Sequence, residues 1–264
     1  MLVVIGWALD NLEGRLSLKA VFFDVDGTLA ETERDGHRVA FNQAFAALGV
    51  PIEWSVEEYG AWLAVTGGKE RIRAYCDRHP EVGEIDDALI ERIHLEKVAA
   101  YRRIVESGGI VLRPGVARLI EELRSCGVVM GITTTTMLDS LDVLLSVEIG
   151  PHWEEIFAVV GAGDVVPKKK PDPAIYSWAL GALGAASSEV VAVEDSRNGL
   201  LAATGAGIAT LVTPSYYTAG EDFSEASLVA DGLGDPGKES RWRGRDNASG
   251  EGLVTQGVLA SILS

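Results

Sequence analysis

The stretch Lys19 to Leu29, KAVFFDVDGTL, constrains this chain more than any other. Ala20-Val21-Phe22-Phe23 is a short apolar run of the kind a fully buried parallel strand requires. It runs into Asp24-Val25-Asp26-Gly27-Thr28. Residues two apart in an extended segment point to one face, so Asp24 and Asp26 are expected to project together. Gly27 then allows a sharp turn of the backbone. Open α/β sheets bind their ligands at the carboxyl ends of the strands. A carboxylate pair placed there is suited to a hard cation that takes oxygen ligands, such as Mg²⁺.

The remaining chain supplies the strands and helices such a sheet needs. From Arg113 onward, helical stripes alternate with short apolar runs. Val116, Leu119, Ile120 and Leu123 precede a strand over 128–132, and Leu138, Leu141 and Leu145 precede one over 156–160. Ile175, Trp178, Ala179 and Ala182 precede a strand over 190–193, and a last strand follows over 209–212. This alternation predicts an α/β fold with a doubly wound parallel sheet. Between the acidic motif and Arg113 the rhythm is helical only. Phe41, Ala44, Phe45 and Leu48 share a face, Ser55-x-x-Glu58 reads as a capping box, and further helices are expected over 69–78 and 85–106.

Strand-to-helix connections in such folds run about two to six residues. A helical insert over 33–111 is therefore expected to hang over the carboxyl ends of the strands as a cap. The reading is an extension over 1–18, a core over 19–32 and 112–264, and the cap between the two core segments. Residues 231–250, rich in Gly, Asp, Arg and Ser, read as a surface loop, and Leu253 to Leu263 as a closing helix.

Composition narrows the partners. The net charge of −16 argues against nucleic acid and against an anionic membrane surface. An anionic substrate would then need a local positive cluster or a metal. Cys76 and Cys126 make no disulfide framework, which fits a reducing cytoplasm. Met1 to Leu9 lack a basic leader, and Asn247-Ala248-Ser249 matches a glycosylation triplet without meaning in a cytosolic protein. A monomer acting on a small molecule is expected. No Walker motif or GxGxxG is present, and His37, His79, His94 and His152 are too scattered in the sequence to suggest a metal cluster.

Four polar stretches fall at expected strand ends or in the loops beyond them: Asp24/Asp26, Thr133–Thr136, Lys168–Lys170 and Glu194-Asp195. In this order, DVDGT, the Thr ending GVVMGITT, KKPDP and VEDS resemble the haloacid dehalogenase superfamily of phosphatases and phosphomutases. That resemblance implies a Rossmann-like core and phosphoryl transfer through an aspartyl-phosphate. It implies Asp24 as nucleophile, Asp26 as general acid and base, and Thr134 and Lys170 on the transferring phosphoryl group. Mg²⁺ would be held by Asp24, the Asp26 carbonyl and Asp195, with Glu194 supporting these ligands or adding a contact.

The longer match of DVDGTLAETE, GHRVAFN, TGGKERI, LRPG, TTTT, GAGD, KKPDP, VEDSRNGL and Tyr216-Tyr217 resembles the CbbY-type phosphatases, over about Lys19 to Gly232. Those enzymes convert xylulose 1,5-bisphosphate, a Rubisco inhibitor, to xylulose 5-phosphate in Calvin-cycle organisms. The match implies sugar contacts from Glu33 and a distal phosphate at Gly67, Gly68, Lys69, Glu70 and Arg71. His94, Lys97, Thr135 and Thr136 would also line the site. β-Phosphoglucomutase-like enzymes share the core motifs and are one alternative, although that type has Ser-Arg where this chain has Gly68-Lys69; a phosphatase of another small sugar phosphate is the other.

Overall fold

A computed structural model describes residues 17–65, 67–245 and 249–263. Most of the N-terminal extension, and Asn247 and Ala248 of the glycosylation triplet, therefore lie outside the described residues. Among the described residues eight strands form one sheet in the order β3-β2-β1-β4-β5-β6-β7-β8. The first five are β1 (Ala20–Phe23), β2 (Val129–Thr133), β3 (Phe157–Gly161), β4 (Val190–Glu194) and β5 (Ala209–Val212). β1 lies at the centre, parallel to β2 on one side and to β4 on the other.

Side-chain alternation divides the apolar residues of the central strands between two faces. Val21, Phe23, Val191 and Val193 join a cluster with α5 (Val116–Ser125), α6 (Leu138–Glu148) and α9 (Gln256–Ser261). Ala20, Phe22, Val190 and Ala192 join another with α7 (Ala174–Leu183) and α8 (Arg197–Gly205). Burial of β1 and β4 on both faces explains their unbroken apolar sequences.

The tail departs from expectation. Within 231–250, read as a surface loop, β7 (Ser240–Gly244) pairs antiparallel with β6 (Leu228–Ala230), and β8 (Ser249–Gly252) pairs antiparallel with β7. The sheet is thus parallel through β6 and antiparallel at that edge. Sequences such as SRWRG and SGEG hide this because these edge strands are largely solvent-facing and need few apolar residues. Their packing rests on Trp242, whose ring lies over Gly250; a Cβ there would come within 2.5 Å of it. Pro173 occupies the N-cap position of α7, one residue before its first helical residue.

Between β1 and α5 come α1 (Arg38–Leu48), α2 (Val56–Trp62), α3 (Gly68–Arg78) and α4 (Asp87–Glu106). They enclose a separate apolar cluster that includes Phe41, Phe45, Trp54, Tyr59, Trp62, Tyr75 and Ile93. The Ser55/Glu58 capping box is formed in full. One unanticipated feature is a π-helical turn, Glu33–His37, leading into α1. This segment leaves the core after Ala30 and returns beside it, where Ala30 bridges Leu112 and the Arg113 N–H donates to the Leu29 carbonyl at 2.7 Å. No helix among the described residues is long and apolar enough to cross a membrane.

Candidate active site

The parallel strands deliver their polar residues to one end. Asp24 follows β1, and its N–H donates to the Val193 carbonyl at 3.0 Å, so the sheet ladder itself fixes its position. Lys170, from the loop after β3, reaches back to donate to Asp24 Oδ1 at 2.7 Å, Glu194 Oε1 at 2.6 Å and the Thr133 carbonyl at 2.8 Å. All three groups are buried. Burial works against the Lys170 ammonium, but Asp24 and Glu194 outweigh it and hold its pKa well above the usual lysine value.

Asp195, next after β4, completes the cluster. Its Oδ2 accepts from the Thr218 hydroxyl at 3.3 Å. Gly27 lies against it at φ 82°, and a Cβ there would stand 2.1 Å from Asp195 Oδ2. The turn after β1 therefore needs glycine for its backbone and for this approach. Oxygens of Asp24, Glu194 and Asp195 lie within 4.8 Å of one another. Burial raises the pKa of Asp24 against the pull of Lys170, and Glu194 and Asp26 add to the rise. Burial, then Asp24, raises Asp195. Glu194 Oε2 is buried without a hydrogen-bond partner. Three buried carboxylates, one of them with an orphaned oxygen, are a donor set suited to a divalent metal ion.

Asp26 is held differently. Its carboxylate accepts from the hydroxyls of Thr32 and Thr136, and its Oδ1 lies 3.1 Å from His37 Nε2. Burial alone would raise its pKa, but His37 and these hydroxyls bring it far below the usual carboxylate range. His37 stacks on Tyr101 at 4.4 Å. The scattered histidines of the sequence gave no hint of this contact, which the π-helical turn makes by bringing His37 back onto Asp26.

A cavity of about 250 Å³ opens above these groups, lined by Asp24, Asp26, Lys170 and Asp195 from the core, and by Glu33, Gly67 and Arg71 from the helical segment. A smaller space of about 90 Å³ shares Asp26, Glu33, Gly67, Arg71 and Thr135 with it, and adds Gly68, His94, Lys97 and Thr136. Glu33 Oε2 accepts from the Tyr59 hydroxyl at 2.5 Å, and Arg71 Nη1 donates to the same hydroxyl at 2.8 Å. Tyr59 thus fixes two of the expected substrate contacts and was not expected from the sequence.

Three of the expected substrate contacts stand apart from both spaces. Lys69 donates to Glu91 at 2.6 Å, and Glu70 folds against Gly67. The buried Thr134 hydroxyl accepts from the Thr136 N–H at 3.1 Å, leaving its own proton free, while Thr135 lines both spaces. Arg113 was also missed as an individual residue. It donates to the carbonyls of Gly27, Thr213 and Pro214, drawing the turn after β1 and the loop after β5 together.

Residues 18–207 match the model of the haloacid dehalogenase-like hydrolases. The protein CbbY of Cereibacter sphaeroides is 44% identical over 220 residues, covering 83% of this chain and 94% of that protein. A CBBY-like protein of Arabidopsis thaliana is 42% identical over 226 residues, covering 83% of this chain and 70% of that one. Among solved structures, a mutant CbbY from Rhodobacter sphaeroides in complex with xylulose-(1,5)bisphosphate is 45% identical with a TM-score of 0.77, covering 82% of this chain and 96% of that one. CbbY from the same organism in complex with phosphate is 46% identical with a TM-score of 0.76, covering 81% and 94%. With this likeness along most of its length, the chain belongs to the haloacid dehalogenase-like hydrolases.

Proposed function

We propose that this hydrolase is a Mg²⁺-dependent sugar-phosphate phosphatase that forms an aspartyl-phosphate on Asp24 and converts xylulose 1,5-bisphosphate to xylulose 5-phosphate. The carrying observation is the buried Asp24 carboxylate, 2.7 Å from Lys170 Nζ, on the floor of a cavity whose other side presents Glu33 and Arg71. The likeness to a CbbY structure holding the same bisphosphate supports the choice of substrate.

In this reading a carboxylate oxygen of Asp24 attacks phosphorus, the bond from phosphorus to the sugar oxygen breaks, and that oxygen takes a proton from Asp26. Water that gives its proton back to Asp26 then attacks the phosphorus of the acyl phosphate. Inorganic phosphate leaves and the Asp24 carboxylate is restored. Asp26 rests as a carboxylate among Thr32, Thr136 and His37. The negative charge of an arriving phosphate raises its proton affinity, so Asp26 takes up a proton from solvent as substrate binds and then gives that proton to the leaving oxygen. Lys170 neutralises Asp24 and the transferring phosphoryl oxygens, and the free Thr134 proton has an acceptor in those oxygens. Mg²⁺ on Asp24, Asp195 and the Asp26 carbonyl, with Glu194 alongside, would supply positive charge between carboxylate and phosphate.

Residues 33–111 act as a cap that covers the phosphate and keeps out all but the hydrolytic water. Glu33 takes a sugar hydroxyl, while Arg71 and Lys69 take the second phosphate, with Gly67, Gly68, His94, Lys97 and Thr136 around them. The test is phosphate release from xylulose 1,5-bisphosphate with Mg²⁺, run beside interconversion of glucose 1- and 6-phosphate. Phosphate release with no interconversion is expected. Interconversion without release from any sugar phosphate in a panel would make the enzyme a mutase.

A further inference from the structure

Tyr217 belongs to the loop after β5, on the core side, yet its ring packs against the aromatic cluster of the helical segment. Its centroid lies 6.0 Å from that of Tyr59. The ring also lies over Gly60, inside α2. Glycine weakens a helix interior relative to alanine, so its presence there needs a reason. A Cβ at Gly60 would fall 2.8 Å from Tyr217 Cδ1 and 2.9 Å from Cε1. The helix has glycine where the core tyrosine comes closest. Beside it, the Tyr216 ring carries the Arg34 guanidinium at 4.9 Å, and the Tyr216 N–H points to Glu31 Oε2 at 3.5 Å. Two consecutive tyrosines of the core loop therefore touch two separate parts of the helical segment, α2 and the π-helical turn.

The Tyr217 hydroxyl is buried and has no hydrogen-bond partner. Buried polar groups are ordinarily paired, and Tyr217 borders the cavity shared by Asp24, Glu33 and Arg71. Burial pushes its phenol up to about 12, so the hydroxyl keeps its proton and remains a donor at neutral pH. On the helical side its ring meets Tyr59, whose hydroxyl pairs with Glu33 and Arg71, and the charged groups facing it are Arg38, Glu33 and Arg34.

We infer that Tyr217 is a specificity-determining residue: seated on Gly60 it joins core to cap, and its hydroxyl donates to the part of a phosphorylated sugar remote from the phosphorus under attack. This rests on the sugar-phosphate reading given above. The acceptor is a hydroxyl or a distal phosphate oxygen, groups that a short acyl phosphate does not carry to that end of the cavity.

The experiment compares kcat/KM for xylulose 1,5-bisphosphate and for acetyl phosphate in five proteins: wild type, Tyr217→Phe, Gly60→Ala, Tyr217→Ala, and Tyr217→Ala combined with Gly60→Ala. Thermal unfolding is followed in each. Tyr217→Phe keeps the ring on Gly60 and removes only the donor. It should lower the ratio of the two specificities about tenfold, chiefly through KM for the bisphosphate. Gly60→Ala should lower the same ratio, and should add nothing once residue 217 is Ala, because the two act through one contact. If Tyr217→Phe leaves the ratio unchanged, or Gly60→Ala has the same effect with and without the ring, the tyrosine's role is overturned while the phosphatase reading stands. A wild type that hydrolyses acetyl phosphate but no sugar phosphate overturns that reading, and this inference with it.

Discussion

Lys170 and Lys69 both belong to the proposed phosphate site, and they are held in opposite ways. On the core side Lys170 is buried among Thr133, Asp24 and Glu194, groups at the ends of three neighbouring strands. Moving it means breaking strand pairs. On the helical side Lys69 is partly exposed and has one partner, Glu91, itself on the surface. Between these extremes stand Glu33 and Arg71, joined through one tyrosine hydroxyl, with Arg71 also donating from Nε to the Trp62 carbonyl at 3.1 Å. A wall fixed by a sheet suits chemistry that tolerates little displacement. A wall fixed by side-chain pairs within a segment that crosses to the core at Ala30 and Leu112 suits selection among substrates.

Substitutions on the core wall should then damage all substrates alike. Asp24→Asn removes the proposed nucleophile but keeps the shape, so turnover of every phosphate ester should vanish while the thermal unfolding midpoint stays near wild type or rises. A rise is expected because burial and neighbouring carboxylates disfavour the ionised Asp24. Near-wild-type hydrolysis by this variant would refute the covalent route. Asp26→Ala should cost about 10²–10⁴-fold in kcat, the range for a general acid–base. A leaving group that needs no protonation, such as that of p-nitrophenyl phosphate, should recover part of the loss.

The contrast between walls also sorts what the sequence revealed from what it concealed. The core wall was legible because its residues come from short motifs at strand ends, and buried parallel strands announce themselves by unbroken apolar runs such as AVFF and VVAV. The contacts missed come from long-range meetings. His37 reaches Asp26 only because a π-helical turn carries it back, and a helical stripe does not distinguish that turn from an α-helix. Tyr59 lies on a helix whose capping box was evident, but nothing local says its hydroxyl faces Glu33 and Arg71. The β7 and β8 edge was hidden because strands covered on one side carry so few apolar residues.

On the helical wall, losses should depend on the substrate. Arg71→Ala removes a guanidinium bordering both spaces and leaves Glu33 and Tyr59 without their cation. It should reduce kcat/KM for a sugar bisphosphate by about 10–100-fold, the scale of a charge-assisted contact, and reduce that for acetyl phosphate far less. Equal losses would erase the distinction between the walls. A smaller effect of the same kind should follow pH through Lys97. Burial lowers its pKa to about 8, although Glu33 and Asp26 pull it upward. The ammonium is therefore charged below about 8 and neutral above it, whereas an unfolded lysine stays charged to about 10.4. KM for the bisphosphate should rise by a few-fold as pH passes upward through 8, on the scale of one ligand contact. Stability should move the other way, because the penalty for burying the charge is present below 8 and fades as pH rises toward the unfolded value. Lys97→Met should flatten both profiles.

Lys69 should give the smallest effect and the sharpest discrimination. Its ammonium must leave Glu91 before it meets a phosphate, and exposed pairs of this kind are weak and screened by salt. Lys69→Ala should thus weaken a bisphosphate only about two- to fivefold at low ionic strength, with less effect in high salt and none on acetyl phosphate. Glu91→Ala frees the lysine, so it should tighten the bisphosphate by a similar factor, and only while Lys69 is present. If Glu91→Ala instead weakens binding to the same degree as Lys69→Ala, the pair serves to hold α3 against α4. The second phosphate would then rest on Arg71 alone, and the helical wall would select through one buried cation rather than two.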